Sequence, residues 1–190
     1  MISRKIFFII ILCFILINNN VPAQSRDENP FSIVDAEYSQ LYNELLEIVK
    51  NEFVMPINNS ESIFDNDNYS YGLHTNQLTG RIYFYNASNF KCDYGTPVFS
   101  MTSGIIKDII RHFHLGKIVI EYNDIEISYW YLENNNDLKV GDIISAGQLL
   151  GTNSVLDTSH GINGIAIRVK YKSFYFDIGY IFNSIRDICE

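Results

Sequence analysis

Much of the usual catalytic vocabulary is missing from this sequence. There is no H-E-x-x-H pair, no G-x-S-x-G elbow, no phosphate-cradling glycine loop and no protein-kinase set, so none of those chemistries has a local signature. Cysteine is scarce, at 3 residues, which excludes a disulfide-dense scaffold. Setting aside Cys13 in the leader, only Cys92 and Cys189 remain, one candidate pair for an oxidising compartment. Neither has a neighbouring histidine in the order that cysteine hydrolases use, so a thiol nucleophile is not indicated. Positive charge is short as well: 14 Lys and Arg stand against 22 Asp and Glu, for a net charge of −8. Such a balance argues against nucleic acid as a partner and against adhesion to anionic lipid or wall polymers, a locally basic groove excepted.

No apolar run approaches the ~20 residues that span a bilayer. The longest, Ile6 to Ile17, follows Arg4-Lys5 and leads to Val21-Pro22-Ala23, the layout of a signal peptide over residues 1–23, with the mature chain beginning at Gln24. The alternative is an uncleaved leader acting as a membrane anchor. A lipoprotein reading through Cys13 is weaker, because Leu12 stands where a small residue is wanted. Residues 24–60 read as a linker and an N-terminal helix. Val34, Tyr38, Leu41, Leu45, Val49 and Phe53 fall on one helical face, Ser32 and Asp35 suggest a capping box, and Pro56 stops the run. That face either packs on its own domain or docks a partner.

Residues 61–190 form the main domain. A stretch rich in Asn, Ser and Asp as far as Ser70 reads as loop, and from Tyr71 the chain is nearly all short strands and turns. Expected strands are Arg81 to Tyr85, Val98 to Met101, Ile105 to Ile110, Lys117 to Tyr122, Ile125 to Tyr131, Ile143 to Ile144, Leu149 to Thr152, Ile165 to Tyr171 and Phe174 to Asp177, with Asn123-Asp124 as a two-residue hairpin turn. With 47% hydrophobic and 14% aromatic residues there is enough apolar surface for one β-rich core. The pattern predicts a mostly β, antiparallel sandwich or barrel-like domain preceded by one N-terminal helix.

Three stretches carry a longer pattern: Thr79 to Val98, TGRIYFYNASNFKCDYGTPV; Tyr129-Trp130-Tyr131-Leu132; and Lys139 to Gly151, KVGDIISAGQLLG. Together they resemble the M23 metallopeptidases, the lysostaphin or LytM-like peptidoglycan endopeptidases, over about Tyr71 to Phe182. The resemblance implies the compact β fold of that family, the duplicated hybrid motif, with a narrow groove. It also implies which positions should carry chemistry, and all five are substituted. The first zinc histidine falls on Tyr85, the zinc aspartate on Asn89, the histidine that steadies the transition state on Tyr131, and the paired histidines on Ile165 and Ile167. A hydrolytic zinc needs three imidazole or carboxylate ligands and an open place for water, which tyrosine, asparagine and isoleucine do not supply.

The sequence therefore points to an exported, catalytically inactive M23-like protein with no cofactor, which binds a cell-wall hydrolase or peptidoglycan. Degenerate members of the family, as the resemblance implies, include activators of wall amidases. One alternative is an active zinc endopeptidase with relocated ligands, drawn from His74, Asp93 and His160 or from the His112-x-His114 pair. Another is a structural envelope protein.

Overall fold

The structure, a computed structural model, describes residues 30–58, 71–75, 78–112, 116–134, 137–154 and 164–189. The leader, His114, His160 and most of the Asn-rich loop lie outside the described residues. The first element is helix α1, Pro30–Glu52. It begins two residues before the expected start, so Ser32 lies within the first turn and is not its cap. Proline at the first helical position explains the shift, because its φ is already helical and its missing N–H would have had no partner there. Leu41, Leu45, Val49 and Phe53 are buried in the same core as the sheets, so α1 packs on its own domain. Tyr38 stacks on Phe176 with ring centroids 4.9 Å apart. Beyond the helix, the Val54 N–H donates to the Met101 carbonyl at 2.8 Å and the Phe99 N–H to the Pro56 carbonyl at 2.8 Å.

The strands follow in order: β1 Gly72–Thr75, β2 Ile82–Tyr85, β3 Ser88–Lys91, β4 Pro97–Phe99, β5 Gly104–Ile110, β6 Lys117–Tyr122, β7 Ile125–Trp130, β8 Leu132–Asn134, β9 Ile143–Ile144, β10 Leu149–Asn153, β11 Gly164–Tyr171 and β12 Phe174–Phe176. They build a mostly β, antiparallel fold. A large sheet runs β12-β11-β7-β6-β5-β9 with β3 on β11, a three-stranded sheet runs β4-β10-β8, and β1 pairs with β2 in a hairpin. Strands β1, β3 and β8 were not expected. Each is at most 4 residues long, too short for alternation to stand out from its surroundings.

Tyr131 is the corner between the two sheets. It has a positive φ of 65°, uncommon for a residue with a side chain. There the chain leaves β7 of the large sheet and enters β8 of the small one, and the Leu132 N–H donates to the Gly116 carbonyl at 3.1 Å. The core lies between the sheets, where the fully buried Tyr129 hydroxyl accepts the Met101 N–H at 2.8 Å. Burial drives the Tyr129 phenol pKa upward.

A second helix, α2, Ile178–Cys189, was not expected. Ile178 and Ile181 are buried, and the residue expected to end a strand, Asp177, caps this helix instead. Its Oδ1 accepts the Tyr180 N–H at 3.1 Å and the Ser88 hydroxyl at 2.8 Å, while the Gly179 N–H donates to Ser88 Oγ at 3.1 Å. Replacing Asp177 with alanine is expected to cost about 0.5 to 2 kcal/mol, the usual range for a lost N-cap. Urea unfolding monitored by circular dichroism would measure it, and an unchanged midpoint would refute the cap.

Candidate functional site

Two of the five positions singled out in the sequence meet directly. The Tyr85 hydroxyl, at the end of β2, donates to Oδ1 of Asn89 in β3 at 3.1 Å. The His74 ring stands edge-on to Tyr85 with centroids 6.3 Å apart, and 5.7 Å from Tyr83. This cluster of two phenols, an amide and one imidazole is linked by a hydrogen bond and ring contacts.

The paired isoleucines do not join it. Residues directly opposite in an antiparallel pair share a face. Asn89 is opposite Ala166, whereas Ile165 is opposite Phe90, and Ile167 is opposite Ser88 on one side and Tyr129 on the other. Ile165 and Ile167 therefore point into the core, where both are fully buried. The expectation that they line the groove is corrected by one residue. Positions with the required spacing on the Asn89 face are Ala166 and Arg168. Tyr131, at its corner, has its carbonyl bonded by the Ser154 N–H at 2.9 Å.

The register carries this outer face across the sheet in rows. One row runs Asn89, Ala166, Trp130, Lys117 and Ile110; the next holds Arg168, Ser128, Val119 and Asp108; a third holds Tyr175, Lys170, Glu126 and Glu121. A charged and aromatic ladder results. Lys117 Nζ lies 5.3 Å from the Trp130 ring centre, and Arg168 Cζ lies 5.6 Å from that ring and 5.7 Å from the Tyr175 ring. Lys170 Nζ stands 6.0 Å from Tyr175. Lys117 is paired with Asp108 at 2.8 Å, and Lys107 reaches Glu126 at 3.0 Å and Glu121 at 3.4 Å. Among the described residues, no carboxylate pairs with Arg168 or Lys170. Two donors, Trp130 Nε1 and Arg168 Nε, are closed off from solvent and have no acceptor. Such a donor typically costs about 1 to 3 kcal/mol.

These side chains do not fit zinc. A hydroxyl bonded to an amide, a methyl group and a guanidinium replace the imidazoles and carboxylate that zinc takes, and Arg168 would bring a like charge to the cation. Among the described residues there is no group of three or more His, Cys, Asp or Glu placed to hold a metal ion. Of the residues considered for relocated ligands, His74 lies beside Tyr83 and Tyr85, His112 and Asp93 are exposed, and His114 and His160 lie outside the described residues.

Cys92 is a free, buried thiol. Burial pushes its pKa up to about 11. The fold therefore holds a proton that the unfolded thiol releases near its ordinary pKa of 9.0. In that window the unfolded state binds fewer protons, so stability falls as pH rises from roughly 9 to 11. The same shift leaves little thiolate at neutral pH, and the thiolate is the nucleophile. Iodoacetamide at pH 8 should label the Cys92 peptide about 100-fold more slowly in the native protein than in urea. Equal labelling by mass spectrometry would refute this.

No protein-family model matches the sequence. No curated protein matches it either. Solved structures do. A zinc-containing peptidase from Vibrio cholerae aligns at a TM-score of 0.53 and 20% identity, covering 67% of this chain and 39% of that one. Csd3 from Helicobacter pylori aligns at 0.50 and 18%, covering 68% of this chain and 33% of that one. The catalytic domain of the antimicrobial peptidase lysostaphin from Staphylococcus simulans aligns at 0.47 and 24%, covering 60% and 90%. This chain thus spans between a third and two fifths of the length of the first two. The domain has the M23-like fold, and at these identities the likeness extends to the fold alone.

Proposed function

We propose that this is an exported M23-like protein that binds and does not cut, taking a cell-wall hydrolase or peptidoglycan in the bacterial envelope as its ligand and holding no zinc. The observation that carries this reading is the hydrogen-bonded Tyr85–Asn89 pair, with Ala166 and Arg168 on the same face, where the fold's zinc ligands would have to meet. A site that lowers the pKa of a bound water needs metal ligands, and these side chains offer none. What the face offers instead is recognition: aromatic planes and, among the described residues, unpaired cations and donors without acceptors. Among the described residues no helix is long and apolar enough to cross a membrane.

The test is a pair of measurements on the purified protein. Dye-labelled sacculi supplied with zinc should release no dye above a chelator-treated control. Co-sedimentation with sacculi, or capture of a purified wall hydrolase, should be saturable. Chelator-sensitive release would overturn the reading in favour of a relocated zinc site, and failure to bind either ligand would favour a structural envelope protein.

A further inference from the structure

We infer that Arg168 and Trp130 form a subsite for a carboxylate borne by a peptide ligand. The inference rests on the binding reading above and names the group that the outer face recognises. Its basis is the pair of orphaned donors. Trp130 Nε1–H and Arg168 Nε–H can only donate, both are buried, and neither has an acceptor. Native proteins leave few such groups unsatisfied, and an isolated one marks a place for a missing water, ion or ligand. Here two belong to side chains in contact, with Arg168 Cζ 5.6 Å from the Trp130 ring centre.

Charge selects the acceptor. The chain as a whole is acidic, with a net charge of −8, yet this part of the sheet collects Lys117, Arg168 and Lys170 around Trp130 and Tyr175. Lys117 is neutralised by Asp108. Among the described residues no carboxylate pairs with Arg168 or Lys170; Glu126, opposite Lys170, is bridged to Lys107 instead, so positive charge is left over beside the orphaned donors. Because both donors are closed off from solvent, a carboxylate reaches them as the Trp130 and Arg168 side chains part; it then accepts one bond from the guanidinium and one from the indole, and charge-assisted bonds of this kind are the strong ones. Both rings lie within cation–π range of the guanidinium, and its planar fork matches a carboxylate. A carboxylate on a peptide can come from an acidic side chain or from a free chain end, and both present the same two oxygens.

The chain contains a single tryptophan, so its fluorescence reports this subsite directly. The purified protein is titrated at constant ionic strength with acetyl-Gly-Glu-Gly-amide, with acetyl-triglycine bearing a free carboxylate, and with acetyl-Gly-Gln-Gly-amide as the neutral control. At least one acidic probe should change Trp130 emission saturably, and the neutral one should not. Whichever acidic probe binds more tightly identifies the source as a side chain or a chain end. Arg168→Gln should weaken binding about tenfold or more, as the loss of a charge-assisted pair implies. Arg168→Lys, which keeps the charge but loses the planar fork, should lose most of the response as well. Lys170→Gln should have a smaller effect, and circular dichroism melts would show that each variant is folded. Equal response to the neutral probe, unchanged affinity in Arg168→Lys, or no saturable response to either acid up to about 10 mM, a Kd at which binding is negligible, would overturn the subsite. Those outcomes are independent of sacculus binding, so this inference can fail while the binding function stands.

Discussion

Tyr85→His, Asn89→Asp, Ala166→His and Arg168→His, made together, are expected to create a protein that takes up one zinc ion, whereas the same first two changes combined with Ile165→His and Ile167→His are not. The register decides between the sets. Ala166 is directly opposite Asn89 and Arg168 follows on the same face, while the isoleucines point away into the core. In the first set, imidazoles and a carboxylate converge on the side where Tyr85 already touches Asn89. In the second set, two imidazoles replace fully buried isoleucines opposite Phe90 and Tyr129. Losing a buried isoleucine costs about 2 to 5 kcal/mol before the burial of an unpartnered imidazole is added. That protein should fail to bind metal and should melt far below the unmodified chain. Zinc-to-protein ratios after dialysis, with melting curves, check both statements. Stoichiometric zinc in the isoleucine set would show that the pairing of β3 with β11 is shifted by one residue.

Gly164→Ala is expected to be the most damaging single change. Gly164 opens β11 with a φ of 153°, a region that disfavours side chains. An added Cβ would lie 2.0 Å from the Phe90 carbonyl oxygen and 2.8 Å from its carbon. Both are backbone atoms of the paired strand, so no side chain can turn aside to make room, and β3 must separate from β11. Adding the strain of the backbone angle to the overlap gives a cost of about 3 to 5 kcal/mol, or roughly a 10 °C fall in melting temperature for a domain of this size. The same separation moves Asn89 away from Ala166 and should alter the environment of the neighbouring Trp130. Gly141→Ala is the matched control. It also has a positive φ, of 93°, but its Cβ would meet open space, so only the smaller angular strain of about 1 to 3 kcal/mol applies. Equal melting temperatures for the two variants would refute the close approach of the strands.

Most of the architecture could be read from the chain because its signals are local. The face carrying Leu41, Leu45, Val49 and Phe53 gave α1, and the two-residue turn at Asn123-Asp124 placed β6 beside β7, as the pairing of Tyr122 with Ile125 bears out. Helix α2 was also within reach, since Asp177 is a good cap and Ile178, Ile181 and Ile185 follow at helical spacing. Continuity with the strand Phe174–Phe176 concealed it. The error at Ile165 and Ile167 has the same character. In Gly164–Tyr171 the apolar residues Ile165, Ile167, Val169 and Tyr171 alternate with Ala166, Arg168 and Lys170, and a strand with that pattern buries its isoleucines. Motif spacing and alternation conflict there, and burial follows alternation.

By itself the sequence determined the β-rich class and the N-terminal helix, because each is a property of residues near one another in the chain. Only the tertiary structure decided which side chains share the outer face. Asn89, Ala166, Trp130 and Lys117 come from four strands, and nothing local fixes the register between strands far apart in sequence. A shift of one residue would send each row to the opposite face. The orphaned donors of Trp130 and Arg168 belong to the same category, since whether a donor has an acceptor depends on every element packed around it.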